Sequence, residues 1–147
     1  MFENHALRLY DWLDKDDGSL FFWILPEPTD SGTVFEIQNG LKMTQNGNVL
    51  TLSGDGEQAS VTADGWTHCA ISIVATDVAW SVNGVIEHEI TGYAQSDEPV
   101  TFGCNHALTD PAGFNTMMSL AYSRPTTEEE ALSAYNARGP ANYGDLS

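Results

Sequence analysis

Short stretches in which apolar and polar residues alternate run along most of the chain. A period of two indicates strands with one buried face, and the dipeptides Asn46-Gly47 and Asn83-Gly84 are typical of hairpin turns between such strands. The stretch from Leu20 to Leu25 is instead apolar throughout, as expected of a strand covered on both faces. The pattern predicts strands at 20–25, 34–38, 41–44, 49–53, 66–74, 78–82, 85–90, 100–104 and 117–123.

The alternation also predicts which side chains share a face of a strand. In the strand at 66–74, one face carries Thr67, Cys69, Ile71 and Ile73, and the other carries Trp66, His68, Ala70 and Ser72. In the next strand Trp80 alternates with Val78 and Val82, so we expect its indole in the core.

One helix is predicted near the end of the chain. Thr127 and Glu130 have the spacing of a capping box, and three successive glutamates suit the positive end of a helix dipole. The apolar stripe and the stop signal that follow are Ala131, Leu132, Tyr135, Gly139 and Pro140. About nine or ten short strands with one short helix predict an all-β fold, a two-sheet antiparallel jelly-roll sandwich.

Composition narrows the class of protein. A chain of 147 residues predicts one domain, residues 1–147, in which 137–147 form a C-terminal tail. The formal net charge is −16, while hydrophobic residues make up 41% of the chain, so a folded acidic domain is expected. Because Lys and Arg total only 5, a surface for nucleic acid or an anionic membrane is not expected.

Targeting signals and cysteines add two further expectations. No stretch reaches the roughly 18 apolar residues of a membrane span, and the N-terminus lacks the pattern of a signal peptide. Cys69 and Cys104 each lie in a strand-like apolar run. Two buried free thiols are favoured over the alternative, a disulfide between them.

Three segments share the order and spacing of one family. They are LFFWILPEP with Trp23; a central stretch with Gly65, Trp66, His68, Ala70, Val82, Asn83 and Gly84; and an ending with Phe102, Gly103, Phe114, Glu130 and Tyr135. Over residues 7–136 this order resembles concanavalin A-like, laminin G-like jelly-roll domains. The resemblance implies a sandwich that serves as a glycosidase, a lectin or an adhesive module. Asn115 and Ser119 depart from the Gly-x-Ile-Asp-Glu run of many relatives, so no site is carried over from that strand.

Candidate catalytic groups are few. The hydrolases of the family commonly present paired acids as Glu-x-Asp-x-x-Glu, and the sequence has no such run. Glu87 and Glu89 share a strand face, for which a solvated surface is the favoured interpretation. The chain also lacks Gly-x-Ser-x-Gly, a phosphate-binding loop and His-Glu-x-x-His. We therefore do not expect an enzyme.

Metal binding is left open by the sequence. The resemblance implies that calcium is possible at a rim of the sandwich, where the candidates are Asp14, Asp16, Asp17, Asp55 and Asp110. No ligand is assigned among them, and no cofactor is expected otherwise. The histidines, His5, His68, His88 and His106, lack the pair spacing of a zinc site. His68 is predicted to be a packed structural residue.

A loop near residues 106–113 is the candidate binding site. Its position resembles a rim at which lectin-like relatives place polar and aromatic side chains against sugars, and the glycan-binding candidates are Asn105, His106, Asp110, Phe114 and Asn115. The alternative, which we favour, is that Phe114 opens a core strand and that Asp110-Pro111 makes a turn.

These observations lead to a hypothesis about function. We expect a non-catalytic surface or adhesion module that is a bacteriophage virion component: a capsid decoration, tail or fibre protein. The reasons are a single domain that begins near Met1 and the lack of a signal peptide. Its expected partners are other virion structural proteins and cell-surface glycans. The alternatives are a soluble, calcium-assisted carbohydrate-binding lectin and, less favoured, a polysaccharide-active enzyme.

Overall fold

The structure, a computed structural model, describes residues 7–9, 17–37, 40–54, 57–91, 100–105, 107–122 and 124–137. Within these ranges the chain forms eleven strands followed by one helix. They are β1 (Leu7–Leu9), β2 (Gly18–Pro26), β3 (Ser31–Ile37), β4 (Lys42–Asn46), β5 (Val49–Gly54), β6 (Glu57–Thr62), β7 (Thr67–Val74), β8 (Asp77–Val82), β9 (Val85–Ile90), β10 (Val100–Phe102), β11 (Phe114–Tyr122) and α1 (Glu128–Ala137).

The strands form two sheets. Sheet 1 has the order β1-β10-β3-β4-β5-β6, and sheet 2 has the order β11-β2-β7-β8-β9. Every pair of neighbouring strands is antiparallel. The predicted all-β, two-sheet sandwich with one short helix is thereby confirmed. No helix in the described ranges is both long and apolar enough to cross a membrane.

The core lies between the two sheets and follows the predicted alternation. Cys69, Ile71 and Ile73 of β7 contribute to it, and Trp80 of β8 is fully buried, as predicted. Phe22 packs edge-on against Phe102, with 5.1 Å between ring centroids. Shielding this apolar surface from water is the main favourable term in the stability of such a fold.

Helix α1 covers the outer face of sheet 2. Ala131 of the helix packs with Phe21 and Ala70 in a second, smaller apolar cluster, and Tyr135 stacks on Trp23 with 5.5 Å between centroids. Strand β2 therefore has the core on one side and the helix on the other. This arrangement explains why residues 20–25 are apolar throughout.

The predicted capping box is present at the start of α1. The amide of Glu130 donates to Thr127 Oγ1 (3.1 Å), and the amide of Thr127 donates to Glu130 Oε1 (3.2 Å). Arg124 also forms an ion pair with Glu130, 2.7 Å between Nη2 and Oε2. The Arg124 guanidinium, with the Thr127 amide, holds the pKa of the Glu130 carboxyl below its usual range. Both contacts fix the point at which the helix begins.

Two further contacts tie distant elements together. Glu128 Oε2 of α1 accepts a hydrogen bond from the amide of Ile86 in β9 (2.7 Å). His88 of β9 lies 3.3 Å, Nε2 to oxygen, from the carbonyl of Ser60 in β6. Because a carbonyl only accepts, this bond requires the proton of His88 on Nε2. It links the last strand of sheet 2 to the last strand of sheet 1.

Two strands and one turn differ from the predicted pattern. The short β1 and the polar β6 were not predicted; β6 exposes Glu57, Gln58, Ser60 and Thr62 because it is the last strand of sheet 1. Asn46 ends β4, so the hairpin turn is made by Gly47 and Asn48 and not by Asn46-Gly47. The predicted tail and Gly139-Pro140 lie outside the described residues.

The two cysteines are buried and free, which confirms the favoured interpretation over the disulfide. Burial raises the pKa of the Cys69 thiol to about 12, and the neighbouring Trp80 offsets this only in part. The thiolate, which is the reactive form, is therefore rare near neutral pH.

We expect neither thiol to react with Ellman's reagent in the native protein. Burial blocks access to both sulfurs. In addition, the Cys69 thiol, with a pKa of about 12, is only about one part in 10⁴ thiolate at pH 8. Absorbance of the released thionitrobenzoate, followed with and without guanidinium chloride, should show both thiols only after unfolding. Rapid release of one equivalent from the native protein would contradict the buried placement.

Candidate functional site

The segment from Gly103 to Gly113, here called the 103–113 loop, runs beside β3. The amide of Gly103 donates to the carbonyl of Val34 (2.6 Å), and the amide of Thr33 donates to the carbonyl of Asp110 (2.9 Å). Pro111 forms a parallel bridge with Thr33. The loop is thus held against the edge of a sheet strand at its start and again near its end.

Asn105 shapes the first half of this loop. Its Oδ1 accepts from the amides of Thr109 (2.8 Å) and Asp110 (3.3 Å), and its Nδ2 donates to Thr109 Oγ1 (2.9 Å). Leu108 adopts a left-handed backbone conformation, with φ of 62°, and its side chain is 58% exposed. The Asn105 amide therefore builds the loop and leaves other side chains at the surface.

Gln45 fastens the second half of the loop. Its side chain is only 3% exposed; Nε2 donates to the carbonyls of Gly113 (2.8 Å) and Glu27 (3.0 Å), and Oε1 accepts from the amide of Gly113 (3.0 Å). The amide of Glu27 also donates to the carbonyl of Gly113 (2.9 Å). Gln45 thus joins β4, the end of β2 and the end of the 103–113 loop.

Two glycines allow the 103–113 loop to pack closely against its neighbours. A Cβ on Gly32 would overlap the carbonyl of Pro111 and would lie 2.8 Å from the amide nitrogen of Ala112. A Cβ on Gly113 would overlap the carboxylate of Asp30. Side chains larger than hydrogen at either position would therefore push the loop away from its neighbours.

The exposed surface at this end of the sandwich, here called the rim, comprises residues 27–31, 46–48 and 107–111. The amide of Gly47 donates to the carbonyl of Asp30 (2.8 Å), which connects two of these segments. The rim exposes three carboxylates, Glu27, Asp30 and Asp110, beside the apolar side chain of Leu108. Carboxylates accept hydrogen bonds from hydroxyl and ammonium groups, so the rim is suited to binding polar ligands.

Asp110 has one contact that fixes its orientation. Thr33 Oγ1 donates to Asp110 Oδ2 (3.0 Å), although the Asp110 residue is exposed. One carboxylate oxygen is thus held by β3 at the surface of the rim. An oriented carboxylate loses less conformational entropy on binding than a freely rotating one.

The structure brings together two of the predicted glycan-binding residues and separates a third. Asn105 and Asp110 are in direct contact through the bond described above. Phe114 is only 3% exposed and packs edge-on against Phe102 (5.8 Å), so its ring is out of reach of a sugar; the interpretation as a core residue holds, and Phe114 leaves the candidate set. Asn115 lies in β11 opposite Leu25, and His106 is outside the described residues.

Calcium binding at the rim stays a prediction. No group of three or more His, Cys, Asp or Glu side chains within the described ranges could hold a metal ion. Asp17 Oδ1 is used to accept the amide of Ala75 (2.9 Å). The other acidic candidates, Asp14, Asp16 and Asp55, lie outside the described residues.

The groups with strongly perturbed pKa values lie in packed positions. Burial lowers the pKa of His68 to about 4, and this imidazole lies under α1, in agreement with its predicted structural role. Cys69 is in the core. Glu87 and Glu89 are exposed, and Glu87 is skipped in the pairing of β9 with β8, where the register shifts.

Comparison with known proteins gives a likeness of structure only. No protein-family model and no curated protein matches the sequence. A structure of the botulinum neurotoxin serotype D binding domain superposes with a TM-score of 0.63 at 12% identity, over 90% of this chain and 40% of that chain. The serotype G binding domain gives 0.60 at 15% identity, over 90% and 40%. The chain shares their fold.

A third similar structure is the binding domain of botulinum neurotoxin DC in complex with rat synaptotagmin II. Its TM-score is 0.55 at 14% identity, over 82% of this chain and 35% of that chain. The chain therefore spans well under half the length of the structures that it resembles. At such low identity the likeness supports the β-sandwich and nothing finer, and membership of the concanavalin A-like family stays a prediction.

Sequence reasoning missed the residues that hold the loop in place. Gln45 occupies an inward position of β4 next to Met43, where an apolar residue is usual; a polar residue on the apolar face was the signal. The contact of Gly32 with Pro111 joins residues far apart in sequence, and nothing local indicates it.

Proposed function

We propose that this chain is a non-catalytic binding module and that the rim is its binding surface. The observation that carries the proposal is that the 103–113 loop has a fixed form. Asn105, Gln45 and the Thr33–Asp110 bond determine its backbone through side-chain hydrogen bonds. Binding surfaces are commonly loops positioned by a rigid scaffold, and a loop that is already ordered binds at a smaller entropic cost.

The chemistry of the rim favours ligands rich in hydroxyl groups. Three exposed carboxylates offer acceptors, and the exposed Leu108 offers one apolar contact beside them. Glycans present hydroxyl donors together with apolar ring faces, so they match this combination. One protein with this fold is described as a receptor-binding domain. By that likeness we extend a binding role to this chain, with no receptor assigned.

Two observations support the non-catalytic part of the proposal. Among the described residues, the two strongly shifted pKa values belong to His68 and Cys69, whose burial under the helix and in the core accounts for them. The carboxylates of Glu87 and Glu89 are exposed, as expected of a solvated strand. None of these four residues belongs to the rim.

A comparison of two variants on a glycan array tests the proposal. Asp110→Asn removes the negative charge of Asp110 but keeps an oxygen that can accept the hydrogen bond from Thr33. Thr33→Val breaks that hydrogen bond and keeps the carboxylate. We expect the wild-type chain to bind at least one glycan class and Asp110→Asn to lose about tenfold or more in affinity, as is typical of a hydrogen bond to a charged group. Thr33→Val should change affinity by less than about threefold.

The outcomes separate a contact from a structural effect. A loss in Thr33→Val without a loss in Asp110→Asn would show that Asp110 acts only by holding the loop. No binding of the wild-type chain to any glycan, with or without millimolar calcium, would remove glycans as the ligand. Binding that is unchanged in both variants would move the site away from the rim.

The location of the module is a separate prediction. A virion component, with other virion proteins as partners, remains our expectation, and the lectin remains the alternative. A net charge of −16 suits an outward-facing domain, because like charges keep copies apart in solution. Mass spectrometry of purified particles from the source would test this, and absence of the chain from every particle would reject it.

A further inference from the structure

The imidazole of His68 is enclosed between sheet 2 and α1. The residue is 2% exposed, and ring centroids of Trp23, Phe21 and Tyr135 lie 5.1, 5.8 and 6.4 Å from its own. Its Nδ1 atom is buried without a hydrogen-bond partner. Protonation would place a charge on this nitrogen among aromatic rings, where no described group accepts a hydrogen bond from it in place of water.

Helix α1 packs outside the core that lies between the two sheets. It packs on Phe21 and Ala70 through Ala131 and Ala134, a cluster separate from the core between the sheets, and its Tyr135 stacks on Trp23. Its ten residues are fewer than the about 12–15 that an isolated helix needs to be even marginally stable in water. The helix therefore persists only while it is docked, and the small cluster that holds it shares no residue with the core between the sheets.

We propose that His68 makes the docking of α1 sensitive to pH: in mildly acidic solution, protonation of its buried imidazole favours release of the helix and exposes Phe21 and Trp23 on sheet 2. The inference does not depend on the rim being a binding surface. It gives the outer face of sheet 2 a surface of aromatic side chains that is exposed only in mildly acidic solution.

Among the described residues, the three rings that surround the imidazole of His68 carry no charge. Phe21 and Trp23 on β2 and Tyr135 on α1 are uncharged, and Asn83 of the β8–β9 turn uses its Oδ1 for the backbone amide of His68 (2.9 Å).

The carboxylates of α1 lie at its other end. Glu128, Glu129 and Glu130 occupy the first turn, about 7 Å or more along the axis from Tyr135. Glu128 and Glu130 are engaged by the Ile86 amide and by Arg124. On neighbouring β9, Glu87 and Glu89 are exposed to solvent.

The direction of the effect follows from the two protonation states. The pKa of His68 is about 4 in the docked state and about 6.5 when the ring is exposed, because burial disfavours the charged form. The equilibrium constant for docking is thus largest well above pH 6.5. It falls as the pH falls towards 4 and falls no further below that. These values predict that the docking equilibrium falls about 30-fold between pH 7.5 and pH 5.0.

Hydrogen exchange of the full chain tests the proposal. Protection factors of the α1 amides, corrected for the intrinsic pH dependence of exchange, are measured by mass spectrometry at pH 7.5 and 5.0. We expect them to fall about 30-fold while those of β7 and β8 change little. His68→Phe keeps an aromatic ring but has no proton to gain, so its α1 protection should not depend on pH. His88→Gln is the matched control and should behave like the wild-type chain.

Two results would overturn the proposal. One is an α1 protection that does not change with pH in the wild-type chain, and the other is the same fall in His68→Phe. If His68→Phe does not fold, an NMR titration of the wild-type imidazole decides: a pKa below about 5 for His68 supports the proposal, and a value near the usual 6.5 rejects it.

Discussion

Replacing Gly32 by alanine is expected to lower the free energy of unfolding by about 3 kcal/mol or more, with loss of the loop from the edge of β3. The added methyl group would overlap the carbonyl of Pro111, a backbone atom that no rotamer change can move. The backbone φ of Gly32 is 154°, which residues with a Cβ rarely adopt. Urea unfolding followed by tryptophan fluorescence measures the change.

Gly65→Ala is the matched control for this experiment. Gly65 also has a positive φ, 73°, but a Cβ there would meet nothing within 4 Å. Its expected cost is only the conformational strain, about 1 kcal/mol. If Gly32→Ala cost no more than Gly65→Ala, the close packing of the loop on β3 would be wrong.

Gln45→Glu should be the most damaging near-isosteric substitution at the rim. The amide nitrogen that donates to the carbonyls of Glu27 and Gly113 becomes an oxygen, so a buried carboxylate would face two carbonyl oxygens. We expect a loss of about 4 kcal/mol at pH 7.5, measured by urea unfolding. Burial would raise the pKa of the new carboxyl, so the penalty should shrink as the pH falls towards 4.5.

The control is Gln45→Met, which has a similar volume and no charge. It removes all three hydrogen bonds of the Gln45 side chain at about 1 kcal/mol each, for an expected loss of about 3 kcal/mol. The difference in stability between the Glu and Met variants should narrow on acidification. A difference that is constant between pH 8 and 5 would mean that position 45 is solvated.

The sequence predicted the elements whose signal is local. Alternation identified β7, β8 and β9 and the faces of β7, and a run that is apolar throughout identified β2. The Thr127–Glu130 spacing identified the first turn of α1. Strand β6 was not predicted because an edge strand buries little apolar surface. Only its Ala59 and Val61 pack against the core, and its other side chains are polar.

The rim could be predicted only in part, for a related reason. Asn105 and Asp110 stand close together in sequence, so their contact was accessible to local reasoning. The clamp from Gln45 to Gly113 spans 68 residues, and its geometry arises only when β4 and the 103–113 loop meet. Phe114 showed the same limit: an aromatic residue after a loop is compatible with both a ligand contact and the core, and tertiary packing decided for the core.

The contacts of Glu128 and His88 bear on how copies of the chain behave when crowded. The last strand of a sheet carries unpaired backbone groups that template the addition of a strand from another molecule, which is a route to aggregation. On β9 the Ile86 amide is occupied by Glu128, and on β6 the Ser60 carbonyl is occupied by His88. These two edge strands therefore each have a backbone group that is already bonded within its own chain, which disfavours the addition of a foreign strand at that position.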